Sequence, residues 1–110
     1  MTPFLSLAKK ISKRSPHKSF THAALIFKHG SMLSWGFNHM NEHAETDALA
    51  RVPWISEARG ATVLVVRTTK GQNLLANSKP CEACQRALKA AGIKNVLYST
   101  AERQIERMKL

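Results

Sequence analysis

The chain has 110 residues, a length that suits one domain (1–110) and excludes two independent hydrophobic cores. Hydrophobic residues make up 44% and charged residues 22%, which excludes a disordered or collagen-like chain and predicts a packed core. Seventeen basic residues against seven acidic ones give a net charge of +10, which predicts attraction to polyanions, either nucleotide phosphates or a nucleic-acid backbone.

Apolar stretches are short throughout the sequence. None approaches the roughly 18 residues that a membrane span needs, and no compact apolar block resembles a signal peptide. We therefore expect a cytoplasmic protein with no membrane partner. The two cysteines, Cys81 and Cys84, lie close together, which favours metal binding or redox chemistry over a disulfide framework.

The first third of the chain predicts a helix followed by a β-hairpin. Apolar residues recur at helical spacing after Thr2-Pro3 and end before a basic stretch, Lys13 to Lys18. Phe20 to Phe27 is apolar and β-forming, and His29-Gly30-Ser31 marks a turn. In the second strand the apolar residues alternate and should share one face: Leu33, Trp35 and Phe37.

The rest of the chain alternates helices and strands. In order it predicts a helix from His43 to about Arg51, a strand from Ala61 to Thr68, a helix from Pro80 to Ala91 and a strand from Asn95 to Tyr98. Ser99 and Glu102 have capping-box spacing for a short last helix with Ile105 and Met108 on one side. This order predicts an α/β fold with helices on both faces of a partly parallel sheet.

Two motifs carry side chains suited to metal chemistry, His43-Ala44-Glu45 and Pro80-Cys81-Glu82-Ala83-Cys84. Cys81 and Cys84, three residues apart at a helix start, share a face and can bind one ion, and the helix N-terminus favours the thiolate that zinc requires. His43 supplies a third ligand and leaves the fourth position open for water, as in catalytic zinc sites. Glu45 can reach the same site from the first helical turn and could move a proton.

These motifs resemble those of the zinc-dependent nucleoside and nucleobase deaminase superfamily, which includes cytidine and deoxycytidylate deaminases, tRNA adenosine deaminases and polynucleotide cytosine-editing enzymes. The resemblance extends over Phe20 to Ser99. It implies a three-layer α/β/α sandwich of cytidine-deaminase type, here with a minimal mixed sheet of four to five strands. It also implies a Zn²⁺ cofactor.

The resemblance further implies roles for individual residues. His43, Cys81 and Cys84 bind zinc, and Glu45 shuttles the proton as activated water attacks the amine-bearing carbon of the base and ammonia leaves. By the same resemblance, Asn38 contacts the sugar, and the backbone amides of Ala44 and Cys81 hold the base or the developing oxyanion. His22, on the first strand, could approach the base.

Two segments depart from the family pattern. Thr69 to Lys79 is longer than the usual connection and predicts an extra hairpin or loop. Many relatives add a fifth strand and a helix after the position of Tyr98, where this chain has Ser99 to Leu110. The resemblance implies that both regions contribute to the substrate pocket.

Each assignment has a plainer alternative. His39 and His43 have the spacing to complete a closed structural zinc site with both cysteines, and a redox Cys-x-x-Cys motif is a second alternative. Asn38 could be a turn residue, His22 a half-buried histidine and the basic residues of the first helix a solvated face. Trp35 and Phe37 favour core packing over base stacking, and Trp54 could lie beside the site or cover the core. Lys70 and Lys79 are candidate phosphate contacts.

The sequence therefore predicts a zinc-dependent hydrolase that deaminates cytosine in a nucleoside, a nucleotide or a single-stranded nucleic acid. The charge favours phosphorylated substrates. One alternative is an adenosine deaminase acting on RNA. Another is a catalytically silent zinc-containing module that binds nucleic acid, which would have no need of Glu45. Homo-oligomers are common among such relatives, so self-association is a further expectation.

Overall fold

The computed structural model of the chain describes residues 2–16, 21–72 and 74–110, so Lys18, the predicted strand start at Phe20 and Asn73 lie outside the described residues. In order, the elements are α1 (Thr2–Ser12), β1 (Thr21–Lys28), β2 (Ser31–Phe37), α2 (Ala44–Ala50), a 3₁₀ turn (Ile55–Ala58), β3 (Thr62–Thr68), β4 (Leu75–Ala76), α3 (Glu82–Ala90), β5 (Asn95–Ser99) and β6 (Ile105–Lys109). Within these ranges, none of the helices has the length and hydropathy that a membrane span requires.

The strands form one mixed sheet in the order β2-β1-β3-β5-β6, with β4 paired to the end of β3. The β3–β5 pair is parallel and the other pairs are antiparallel. The sheet has five longer strands and the two-residue β4, so the predicted mixed sheet is confirmed and has one short strand more than expected. β4 turns the 69–79 segment back onto Arg67 and Thr68, which makes it the extra hairpin that the sequence allowed.

The core has two halves, one on each face of the sheet. On one face α1 packs against β1 and β3, through Ala8, Ile11, Ala23, Leu25, Leu64 and Val66. On the other face α2 and α3 cover the sheet, through Ala44, Ala48, Leu88, Ala24, Ile26, Val63, Val65 and Val96. Consecutive residues of β3 point to opposite faces and all are buried from Val63 to Val66, as the unbroken apolar run predicted. The three-layer α/β/α sandwich is thereby confirmed.

The predicted last helix is wrong, because residues Ile105–Lys109 form strand β6 against β5. The chain reverses through a turn in which Arg103 adopts φ +63 and the Thr100 amide donates to the Gln104 carbonyl at 2.9 Å. Pairing with β5 gives backbone hydrogen-bond partners to five residues at the sheet edge. This tertiary stabilisation outweighs the local preference for a helix that the capping-box spacing indicates. As a result Ile105 and Met108 pack on opposite faces of the sheet rather than on one side.

The predicted common face of Leu33, Trp35 and Phe37 is also wrong for Leu33. The β1–β2 pairing contains a bulge opposite Ile26 and Phe27, which inserts one residue into β2. Leu33 therefore packs against the α2 side, whereas Trp35 and Phe37 keep to the α1 side. Alternation in a sequence cannot show where such an extra residue interrupts it.

Gly36 allows α2 to approach β2 closely. A Cβ atom at this position would meet the Ala48 amide nitrogen first and would lie 2.7 Å from the Ala44 carbonyl oxygen. The neighbouring Ser34 hydroxyl donates to the Ala48 carbonyl at 2.7 Å and is buried. These contacts fix the depth at which α2, and with it residues 43–45, sits on the sheet.

We expect Gly36→Ala to lower the free energy of unfolding by about 1–3 kcal/mol, because a methyl group there must displace helix backbone. Urea denaturation measures the loss. Gly30→Ala is the matched control, because Gly30 has open space around it and only its φ of +78 opposes a side chain. Its loss should be about 1 kcal/mol. A loss at Gly36 no greater than that at Gly30 would contradict close packing of α2.

Candidate active site

Three side chains with metal-binding atoms meet at the end of the sheet where the strands β2, β3 and β5 terminate. His43 is the N-cap residue of α2, Cys81 is the N-cap residue of α3, and Cys84 lies in the first turn of α3. Their candidate ligand atoms all lie within 4.8 Å of one another. The His43 Nδ1 atom is 3.1 Å from the Cys84 Sγ atom and 3.9 Å from the Cys81 Sγ atom. One imidazole and two sulfur atoms form a donor set that suits tetrahedral zinc with one open position.

A pair of buried serines holds the start of α3 in place. The Ser78 hydroxyl donates to the Val65 carbonyl at 2.7 Å and accepts from the Ser99 amide at 2.8 Å. The Ser99 hydroxyl donates to the Ala76 carbonyl at 2.6 Å. These bonds tie the segment before Pro80 to both β3 and β5. Sequence reasoning missed this pair, since serine in a polar loop carries no signal that it is buried.

Glu45 lies in the wall of the cleft beside the ligand cluster, and only 5% of it is exposed. Burial raises the pKa of its carboxyl group, and hydrogen bonding to its own backbone, the charge of His43 and a hydrogen bond with Cys84 offset part of that rise. Glu45 therefore holds a proton more readily than a solvated glutamate. This is the property required of a group that must both accept and donate a proton.

Burial, followed by the charge of the Glu45 carboxylate, raises the pKa of the Cys84 thiol. Zinc binds the thiolate, so metal uptake must release the proton that this environment stabilises. Zinc affinity should accordingly weaken as the pH falls.

The cleft next to these residues has a volume of about 480 Å³. The residues predicted to contact the sugar or the base line it, namely His22, Asn38, Ala44 and Cys81. The Asn38 Oδ1 atom accepts from the His22 amide at 2.8 Å, which fixes the side chain where β2 ends. Met40 and Lys79 also line the cleft, so one of the two lysines predicted to contact phosphate is placed beside it.

His39 points away from the ligand cluster. Its Nε2 atom lies 3.2 Å from the Asp47 Oδ1 atom. Among the described residues, the candidate metal-binding group consists of His43, Cys81 and Cys84 and does not include His39. Asp47 also accepts from the Phe37 amide and from the Arg51 Nε atom, each at 3.1 Å. Burial opposes ionisation of Asp47, but the hydrogen bonds from His39, Phe37 and Arg51 outweigh it and lower the pKa of the carboxyl group. The geometry thus favours an open site over a closed one with four ligands.

The remaining sequence candidates lie elsewhere. Lys70 lines a separate cleft of about 240 Å³ with Lys13 and Thr21. Trp35 is half-buried, with the Arg51 guanidinium 4.4 Å from its ring centroid. Trp54 is 71% exposed on the segment before the 3₁₀ turn and is not among the residues lining the cleft.

Comparison with known proteins agrees with this architecture. Residues 2–100 match the model of the cytidine and deoxycytidylate deaminase zinc-binding region. A dCMP deaminase from the cyanophage S-TIM5 is 22% identical with a TM-score of 0.69, over 90% of this chain and 81% of the phage protein. A cytidine deaminase from Burkholderia pseudomallei is 18% identical with a TM-score of 0.73, over 98% of this chain and 91% of that one.

A third similar structure is larger. RibD from Acinetobacter baumannii is 24% identical with a TM-score of 0.66, over 89% of this chain but only 27% of RibD. At these identities the solved structures show a shared fold. No curated protein matches the chain.

We expect Cys84→Ser to lower zinc affinity at least about tenfold. Replacing a residue that only hydrogen-bonds to a zinc ligand already costs about that much affinity, and replacing the ligand itself should cost no less. His39→Ala should keep its zinc, since the His39 ring is bonded to Asp47. Both variants are compared by zinc content after dialysis against a graded chelator. If His39→Ala lost its zinc and Cys84→Ser retained it, His39 would be a ligand and Cys84 would not, which contradicts the proposed ligand set.

Proposed function

The chain belongs to the cytidine and deoxycytidylate deaminase family, and from this premise we propose that its cleft deaminates cytosine in a phosphorylated substrate. Family membership and the histidine–cysteine cluster support the coarser statement, a zinc-dependent hydrolytic deaminase of cytosine-type substrates. The observation that carries the catalytic proposal is the buried Glu45 carboxyl group in the cleft wall beside that cluster.

In this proposal His43, Cys81 and Cys84 hold the zinc ion. Bound there, zinc supplies a strong electrophile that makes water nucleophilic near neutral pH. Two thiolates formally cancel the charge of the ion, so the centre suits a neutral heteroaromatic base better than an anion. The phosphate of a substrate must then be held away from the metal.

Glu45 performs the proton transfers. It accepts a proton from the water that attacks the amine-bearing carbon, and it returns that proton to the substrate so that the nitrogen departs as ammonia. Its buried position next to the cleft keeps it within reach while excluding bulk water from the carboxyl group. A protein that only binds nucleic acid has no use for such a carboxyl group, and this argues against the silent module.

We assign the sugar to Asn38, the base edge to His22 and a base oxygen to the Ala44 backbone amide. The support for these roles is position, since all three line the cleft with Glu45. The hydrogen bond between Asn38 and the His22 backbone couples the two residues, so the sugar and base contacts should shift together.

A phosphorylated substrate is favoured by charge. Lys79 lines the cleft immediately before Pro80, and the chain as a whole carries a charge of +10. The S-TIM5 dCMP deaminase, similar in fold, has been seen in complex with dCMP and dUMP. A single-stranded polynucleotide would satisfy the same charge and remains part of the substrate panel below.

Glu45→Gln should lower kcat for ammonia release by about 10²- to 10⁴-fold, because the amide cannot carry the proton, while bound zinc stays unchanged. The substrate panel is deoxycytidine, dCMP, CMP, single-stranded DNA and RNA, with adenosine-containing RNA included. Glu42→Gln is the matched control, since Glu42 lines the same cleft. Equal activity of Glu45→Gln and the wild type would refute the mechanism, and inactivity of the wild type on every substrate would favour a binding protein.

Lys79→Gln should raise KM for dCMP by about threefold to tenfold and leave KM for deoxycytidine unchanged, because only the nucleotide offers a phosphate to the ammonium group. Lys70→Gln, in the other cleft, is the control and should change neither value. Equal increases in KM for dCMP and deoxycytidine would show that Lys79 shapes the cleft without contacting the phosphate.

A further inference from the structure

A tight reversal between β2 and α2 forms one wall of the cleft. The His39 amide donates to the Glu42 carbonyl at 3.1 Å and the Glu42 amide donates to the His39 carbonyl at 2.8 Å, which leaves Met40 and Asn41 at the tip. Both tip residues line the cleft. Because His39 is also bonded to the buried Asp47, the base of this reversal is fixed to α2.

The backbone of Met40 adopts a left-handed conformation with φ +50. A residue with a Cβ atom is strained there, and glycine or asparagine is the usual occupant. Asn41 is the next residue, yet it is Met40 that carries the positive φ. The chain therefore holds methionine at the position of the reversal that disfavours it most.

Met40 is 95% exposed, more than any other large hydrophobic residue in the described ranges. The next most exposed are Trp54 at 71%, Ile55 at 56% and Met32 at 40%. Packing within the chain therefore cannot explain why an apolar side chain stands at this tip. A strained backbone that carries an exposed apolar side chain in the wall of a cleft points to a functional position.

We propose that Met40 is a substrate-binding residue whose thioether side chain covers the face of the heteroaromatic base bound in the cleft. This inference rests on the proposed function, which supplies the base. Methionine suits the role because its three rotatable bonds let it settle on a ligand, and its polarisable sulfur makes favourable contacts with aromatic rings. Met40 takes no part in proton transfer, so its contribution is to binding.

Steady-state kinetics on the preferred substrate test the proposal with three variants. Met40→Ala and Met40→Gly should raise KM by about fivefold to tenfold with kcat unchanged, because they remove apolar contact with the base. Met40→Leu, which keeps the bulk, should stay near the wild type. Met32→Ala is the matched control, an exposed methionine that is not among the residues lining the cleft.

The glycine variant also separates binding from folding. Glycine adopts φ +50 without a Cβ penalty, so Met40→Gly should be at least as resistant to heat as Met40→Ala even though both bind substrate poorly. A rise in KM without a loss of stability is an outcome that a purely structural role would not produce.

Oxidative footprinting supplies a readout that does not need turnover. Brief exposure of the zinc-loaded protein to hydrogen peroxide, followed by mass spectrometry, measures sulfoxide formation at Met40 and Met32. Saturating dUMP, the product of dCMP deamination, should protect Met40 several-fold and leave Met32 unaffected.

The outcomes separate the two proposals. An active wild type with unchanged KM in Met40→Ala and no protection of Met40 overturns the role of Met40 and leaves the proposed function intact. A fall in kcat together with loss of zinc in Met40→Leu overturns it as well, by making the residue structural. If the wild type releases no ammonia and no nucleotide of the panel protects Met40, the proposed function and this inference both fail.

Discussion

Two helices that start far apart in the chain must begin within reach of a single ion, and the rest of the structure serves that requirement. His43 and Cys81 are separated by 38 positions, yet their ligand atoms lie 3.9 Å apart. The missing side chain at Gly36 sets the depth of α2 on the sheet, and the Ser78–Ser99 hydroxyl pair anchors the start of α3. A shift of either helix by a fraction of a helical turn would separate the nitrogen from the sulfurs.

Charge is divided between the site and the remainder of the surface. Although the whole chain carries +10, acidic residues gather where α2 begins, with Glu42 and Glu45 in the cleft wall and Asp47 directly behind it. In the proposed function an uncharged base enters beside these carboxyl groups, and its phosphate is held near Lys79, which also lines the cleft. The long-range attraction of the protein for anions and the local chemistry of the cleft therefore involve different residues.

The candidate site was largely readable from sequence because its signals are local. Spacing at two helix starts was enough to select His43, Glu45, Cys81 and Cys84, and the alternation of strands and helices was enough for the layers. The hidden parts depend on partners distant in the chain. The residues next to Ser78 and Asp47 give no indication that these two side chains are buried. The bulge that places Leu33 on the other face arises from pairing with β1. Strand β6 forms because it can pair with the free edge of β5.

The parallel pairing of β3 with β5 has a kinetic consequence. The β1–β2 hairpin closes a short loop and needs no other element, whereas β3 and β5 can pair only after the chain between them, including α3, has crossed over the sheet. His43 follows the quick hairpin, and both sulfurs lie within the slow crossover. Nascent chains should thus pass through a stage in which the hairpin has formed and the three metal-binding side chains have not yet come together. Zinc would then bind at the end of folding. Once bound, it would slow unfolding that begins at the β3–α3–β5 crossover.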